Sequence, residues 1–370
     1  MKKKIVFVLC FATILAAVLC MSACPNPQKK YAIDSLPGCD DCPSVLDEEI
    51  LAGLVQSITD GDYGKIHSLI IIHNDGLALE KYFMGWSRDM LHHCYSATKS
   101  VTSALVGIAI DQGKIDGLDG RLLDFFPEHT AIANLDERKE SITLEHLLTM
   151  TAGFTWDEMS IPYIDSEGNP NFENDAMKMW ASDDWIQYML DLSMRDEPGS
   201  TWNYNSGCTI LLSGIIKDKT GQSAEAFAKK NLFARIGITD WEWETGPDGI
   251  ANTGWGLSLY PVDMAMFGYL FLKNGRLSGK QIVPEDWVSE STRRHMSFYG
   301  YQWWVLPDNM ITGHPEANGI FYALGYAGQT IMIIPNINMV VVTTAENFIG
   351  HGGAVFDMLA DYILPAVQEK

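Results

Sequence analysis

Ser96-Ala97-Thr98-Lys99-Ser100-Val101-Thr102-Ser103-Ala104-Leu105 begins the stretch on which the fold turns. Apolar residues at Val101, Leu105, Ile108 and Ile110 continue at helical spacing to Gln112, and Gly113 suits a C-cap, so a buried helix is predicted over 100–112. Upstream, Ser68–His73 and Leu77–Phe83 flank Asn74-Asp75-Gly76, the signature of a β-hairpin. Downstream, the segment from about 120 to 270 is punctuated by Gly, Pro and Asp and holds helical runs at 143–150, 184–193, 209–219 and 262–273. Strand character returns at Tyr301–Leu306, Thr330–Ile334 and Met339–Thr344, and Phe356–Gln368 reads as an amphipathic closing helix. This order predicts an α+β fold. An antiparallel sheet flanked by helices is built from 47–125 and 265–370, and an all-helical subdomain, 126–264, is inserted between them. The cleft between two such parts is the expected place for a site.

The chain has 370 residues, a net charge of −21 and a pI near 4.7. Only 20% of residues are charged while 11% are aromatic, which excludes a disordered acidic chain. A general attraction to nucleic acid is excluded too, because phosphate binding needs a basic surface.

Residues 1–23 read as a secretory signal: Lys2, Lys3 and Lys4 precede an apolar run from Ile5 to about Leu19, then small residues. The run is short for a membrane span, which needs about 20 residues. Met21-Ser22-Ala23-Cys24 resembles a bacterial lipobox, which implies lipidation of Cys24 and an exported protein held in the cell envelope by a lipid anchor alone. Losing residues 1–23 removes three lysines and no acid, so the mature chain is more acidic still. Residues 24–46, polar with several prolines, read as a tether. Cys39 and Cys42 form a CxxC in that tether, where a local disulfide is a better reading than redox or zinc chemistry. Cys94 and Cys208 lie in apolar segments as small buried hydrophobes.

Ser96 and Lys99 form an SxxK pair, and residues three apart share a helix face. A serine hydroxyl needs a base within hydrogen-bond reach, and a lysine serves only if burial or a neighbouring cation lowers its pKa by several units. A helix start also offers free N–H groups where an oxyanion develops. By itself the spacing favours an N-capping serine followed by an ordinary solvent lysine. The wider segment, Cys94-Tyr95 through Leu105, resembles the nucleophile segment of serine hydrolases related to class C β-lactamases. This superfamily of β-lactamase/transpeptidase-like fold includes D-amino-acid peptidases, esterases and 6-aminohexanoate-oligomer hydrolases. Ile142-Thr143-Leu144-Glu145-His146-Leu147-Leu148-Thr149-Met150-Thr151-Ala152-Gly153 is similar to a second family segment. The resemblance spans about 65–347.

The resemblance implies further residues. Pro198-Gly199-Ser200-Thr201-Trp202-Asn203-Tyr204-Asn205-Ser206-Gly207 matches the Tyr-x-Asn element, giving Tyr204 the role of base and proton shuttle and putting Ser206, as a substrate-binding residue, where Asn is usual. The Tyr-x-Ser form belongs to the esterase and aminohexanoate-hydrolase branch. A phenol there can exchange a proton with Ser96 if Lys99 holds it in a cationic field. Ala323-Leu324-Gly325 matches the Lys-Thr-Gly or His-x-Gly element on an edge strand: Gly325 keeps its place beside substrate, and the cation is lost. The N–H groups of Ser96 and Tyr326 then form the oxyanion hole. Losing the cation removes the usual grip on a substrate carboxylate.

His92, His93, His314 and His351 show no metal-ligand spacing, and Gly350-His351-Gly352-Gly353 reads as a turn. Tyr299-Gly300-Tyr301-Gln302-Trp303-Trp304 reads as a strand that packs in the core or walls a cleft. The expected activity is therefore cleavage of a small ester, amide or peptide through an acyl-enzyme on Ser96, with no metal or organic cofactor. The alternatives are a β-lactamase or D-alanyl-D-amino-acid peptidase, and a non-catalytic envelope-binding protein on the same fold.

Overall fold

Asp47 opens the first helix, α1 (Glu48–Asp60), by accepting hydrogen bonds from the Glu49 and Ile50 amides at 2.9 and 3.1 Å. The computed structural model describes residues 30–36, 46–348 and 350–367. The hairpin follows as β1 (Ile66–His73) and β2 (Gly76–Tyr82). Asn74 and Asp75 take φ values of 49° and 69°, the two left-handed residues that let a short turn match the strand twist. The helix expected at 100–112 is α2 (Thr98–Asp111), preceded by a 3-10 turn over Tyr95–Ala97. In the helical middle lie α3 (Leu144–Leu148), α4 (Trp185–Asp191) and α5 (Ser206–Thr220), and α6 (Pro261–Leu272) leads back toward the sheet. The last strands are β3 (Trp304–Val305), β4 (Phe321–Gly325), β5 (Gln329–Ile334) and β6 (Met339–Ala345), before α7 (Ala354–Met358).

The sheet order is β2-β1-β6-β5-β4-β3, antiparallel throughout, so the two chain ends meet at its centre where Ile70 pairs with Val342 and Ile72 with Val340. Strand periodicity splits the apolar side chains between two cores. Ile70, Ile72, Ile331, Ile333, Val340 and Val342 join the larger one, which includes α2, α5 and α6. Leu69, Ile71, Met332, Ile334, Met339 and Val341 face α1 and α7. Helix α6 is apolar on every side because it is sandwiched. At Gly268 an added Cβ would lie 2.7 Å from Val340 and 2.8 Å from Ile331, so the helix backbone rests directly on the sheet. The fold is α+β, as the element order implied. From Tyr31 onward the described residues form one compact unit.

Three local expectations are corrected. Residues 31–36 of the expected tether are part of the folded body: Ile33 is fully buried, Tyr31 meets the Tyr260 ring at 5.4 Å, and Arg88 bridges Asp34 and Glu80. The strand expected at Tyr301–Leu306 shrinks to Trp304–Val305, because Gln302 has a φ of 63° and cannot continue an extended run. Its side chain instead donates to the Leu147 and Leu148 carbonyls and accepts from Thr209, clamping α3 and α5 together. The closing helix starts earlier, at Ala354, and widens into a π-turn over Leu359–Ile363. Residues 1–23, Cys24, Cys39 and Cys42 lie outside the described residues.

A histidine cluster supports the segment leading to Ser96. His67 Nδ1 and His92 Nε2 are 2.9 Å apart, the His67 ring stacks on Trp86 at 4.4 Å, and His93 Nδ1 accepts from the Tyr95 amide at 3.0 Å. Burial first, then the charge of Lys65, lowers His67 to about 4. Burial and then the neighbouring histidine lower His92 to about 3 and His93 to about 4. These folded values lie below the unfolded value of about 6.5, so between pH 6.5 and 4 the unfolded chain binds more protons and stability falls as pH falls. Urea unfolding at pH 7 and pH 4.5 should show a loss on the order of a few kcal/mol, partly recovered in His67→Gln; equal midpoints would contradict this.

Candidate active site

The 3-10 turn that carries Ser96 is conformationally costly. Tyr95, directly before it, has a φ of 46°, a region that bulky side chains seldom occupy and that concentrates at functional sites. Its ring is held edge-on to Tyr326 at 5.9 Å and against His93 at 4.2 Å. The turn presents the half-buried Ser96 hydroxyl at the start of α2, where backbone N–H groups lack intrahelical acceptors.

One turn on, Lys99 is 1% exposed. Its Nζ donates to Ser96 Oγ at 3.0 Å, to Ser206 Oγ at 2.9 Å and to the Gly254 carbonyl at 2.7 Å. Three acceptors satisfy an ammonium fully, and a neutral amine in the same place turns a lone pair toward Ser96. Burial lowers the Lys99 pKa to about 8, against an opposing pull from Glu158. A group so placed has an appreciable neutral fraction near neutral pH and can take the Ser96 proton.

Tyr204 comes from the turn before α5, whose start is capped by Asn205 accepting from the Cys208 amide at 3.1 Å. Lys99 Nζ lies 4.9 Å from the Tyr204 ring centroid. The expected cationic field does not dominate there: burial, then Glu158, pushes the Tyr204 pKa well up, with Ser96 pulling weakly the other way. Tyr204 is thus a neutral phenol suited to donating a proton, and Lys99 is the better base.

Ser206 lies deep beside these groups. It is 2% exposed and lies beneath Lys99, its hydroxyl accepting from Lys99 and donating to Glu158 Oε1 at 2.6 Å. Its hydroxyl is engaged on both sides, by Lys99 and by Glu158. Gly325 and Tyr326 lie at the end of β4 and in the following 3-10 turn, directly against the Ser96 turn. Ala323, Leu324 and Gly325 extend beyond the two residues paired with β3, so this end of β4 is an open edge. A Cβ at Gly325 would fall 2.2 Å from the Cys94 carbonyl oxygen, so only glycine allows β4 to approach the nucleophile turn this closely. Gln329 fastens the Tyr326 turn, donating to the Tyr326 and Ala345 carbonyls at 3.0 and 2.7 Å.

Two aromatic groups border these residues. Trp304 stacks on Tyr204 at 5.8 Å, with Trp202 and Tyr299 beside it; Tyr163, Tyr95 and Phe348 surround Tyr326. Cys94 and Cys208 are buried and free. Sequence reasoning missed Glu158, Gly254 and Gln329. Of these only Glu158 had a nearby signal, as the first glutamate after the segment ending at Gly153.

Comparison with known proteins agrees in one direction. The beta-lactamase family model matches residues 66–357. A 6-aminohexanoate-dimer hydrolase of Paenarthrobacter ureafaciens is 22% identical over 296 residues, covering 74% of this chain and 71% of that protein. Among solved structures, EstCE1, a hydrolase with promiscuous acyltransferase activity, shares the fold with a TM-score of 0.68 at 14% identity, covering 85% of this chain and 98% of that one. Simvastatin synthase from Aspergillus terreus shares it with a TM-score of 0.64 at 14% identity, covering 86% and 97%.

Proposed function

Because the chain belongs to the beta-lactamase family and is a serine hydrolase, we propose that it cleaves a small ester or amide without a required carboxylate, through an acyl-enzyme on Ser96. The observation that carries this reading is the 3.0 Å hydrogen bond between Ser96 Oγ and a buried lysine whose pKa is lowered to about 8. Neutral Lys99 takes the Ser96 proton as Oγ attacks the carbonyl carbon. The resulting oxyanion is received by the N–H groups of Ser96 and Tyr326. Tyr204 gives its proton to the leaving group as the carbonyl–leaving-group bond breaks, and the proton held on Lys99 then restores the phenol through a water molecule that enters behind the leaving group. Water then adds to the acyl carbon, losing its proton to Lys99, which hands it to Ser96 Oγ as the acyl–oxygen bond breaks, so both groups return to their starting state.

The absence of a cation at Ala323 argues against the β-lactamase and D,D-peptidase alternatives, since a β-lactam or peptide carboxylate meets an apolar, buried residue there. Turnover of 4-nitrophenyl acetate or butyrate should exceed nitrocefin turnover in kcat/KM by at least about 100-fold, the size of a missing charged hydrogen bond. Comparable values would reverse the assignment. A fluorophosphonate probe followed by peptide mass spectrometry tests the central claim, and an adduct on any residue other than Ser96 refutes it. A folded protein that takes no label is instead the non-catalytic binder. We also propose export and anchoring through Cys24, on residues 1–24 alone; a radiolabelled palmitate signal absent from Cys24→Ser checks it.

A further inference from the structure

Glu158 is 1% exposed and lies beneath the base rather than in the cleft. Four donors converge on its carboxylate: the Ser206 amide and Trp156 Nε1 on Oε2, each at 2.6 Å, and the Ser206 hydroxyl and Tyr163 hydroxyl on Oε1, at 2.6 and 3.0 Å. The Ser206 hydroxyl has one proton, and Glu158 takes it. Its oxygen lone pairs are therefore turned toward Lys99 Nζ, 2.9 Å away.

We infer that Glu158 is a positioning residue for Lys99, acting through the oriented Ser206 hydroxyl and through its own buried charge. The inference rests on Lys99 being the base for Ser96. A lysine this deeply buried with neutral neighbours alone would lose its proton well below neutral pH, and its amine would be a weak base. The carboxylate offsets part of the burial, as its raising effect on Lys99 indicates. The other titratable groups around the pair are Tyr163, Tyr204, Tyr299 and Cys208, and burial together with Glu158 raises all four, so they stay neutral. Glu158 is thus the one charge from these elements that balances Lys99 among the described residues. Its hydrogen bond from Tyr163, whose ring meets Tyr326 at 5.4 Å, also ties the base to the turn after β4.

The test is the second-order rate of Ser96 labelling by a fluorophosphonate from pH 6 to 10, in wild type, Glu158→Gln and Glu158→Asp, with thermal melts as a folding check. Wild type should rise with pH through a midpoint near 8. Glu158→Gln keeps the shape and removes the charge, so its midpoint should move down by at least about one pH unit. Glu158→Asp keeps the charge but withdraws it from Ser206. Its midpoint should stay within about 0.3 units of wild type while its plateau falls about tenfold. A folded Glu158→Gln with an unmoved midpoint overturns the inference, as does an Asp variant that shifts as far as Gln. If Glu158→Gln does not fold, the Asp variant decides: a wild-type plateau overturns the inference, and a tenfold lower plateau at the wild-type midpoint supports it. An adduct on a residue other than Ser96 would instead sink the nucleophile assignment itself.

Discussion

Ser96→Ala is expected to lower kcat/KM on the preferred ester by on the order of 10⁴-fold and to abolish fluorophosphonate labelling, and Lys99→Met to do nearly the same. The two losses should not add. Every task proposed for Lys99, in acylation or deacylation, requires Ser96, whose Oγ is 3.0 Å from its Nζ, so the double variant should be no slower than Ser96→Ala. Methionine suits the lysine site because it fills the apolar stem without demanding the three acceptors that Ser206, Gly254 and Ser96 supply. Those acceptors are left facing an apolar group, so Lys99→Met should also melt earlier, while Ser96→Ala, at a half-buried position, should not. Additive losses, or a Lys99→Met enzyme retaining a tenth of the wild-type rate, would mean that the proton goes elsewhere.

The second large effect is expected at Gly325. Its φ of −111° and ψ of 155° are open to any residue, so conformational preference is not what excludes a side chain. The obstacle is the Cys94 carbonyl oxygen, 2.2 Å from where a Cβ would be, backed by the Gln329 side chain at 2.9 Å. Backbone cannot yield as a side-chain tip can, so Gly325→Ala must push β4 away from the turn before Ser96. The amides of Ser96 and Tyr326, proposed above as the oxyanion hole, would then be drawn apart, a loss comparable to deleting one oxyanion donor, about 10²–10³-fold in kcat. Overpacking should add a stability cost of about 1–3 kcal/mol. Gly352→Ala serves as control, since its Cβ would meet nothing nearer than 4.0 Å. Steady-state kinetics and thermal melts check both, and unchanged kcat in Gly325→Ala would remove Tyr326 from the proposed oxyanion hole.

Elements ruled by short-range physics were legible in the sequence. The hairpin could be read from Asn74-Asp75-Gly76, α2 from its apolar spacing, and β5 and β6 from their runs rich in Ile, Val and Thr. Strand Tyr301–Leu306 was misread because the aromatic content that favours extended chain also fills cores, and the left-handed Gln302 leaves no trace in composition. The site was legible in the same uneven way. Ser96 and Lys99 are joined by helical spacing, which sequence displays. Glu158 is joined to Lys99 only through Ser206, a relation between three distant segments that no spacing encodes. Ser206 was found by its position after Tyr204, yet its contacts with Lys99 and Glu158 could not be read from that position. The docking of residues 31–36 was hidden for a similar reason, since Arg88 reaches Asp34 from far along the chain.

The pairing of β1 with β6 also sets when this enzyme can exist. A ribosome releases the hairpin and the nucleophile helix early, but Ile66 must wait for Ala345 before β1 has its second neighbour. At synthesis rates of roughly 5–20 residues per second, that interval is on the order of tens of seconds, during which β1 has an open edge and half of its apolar faces lack cover. Every nascent fragment that stops short of Met339 therefore carries Ser96 and Lys99 without the central strand behind them. The sheet behind Ser96 is complete only once its last strand has joined it.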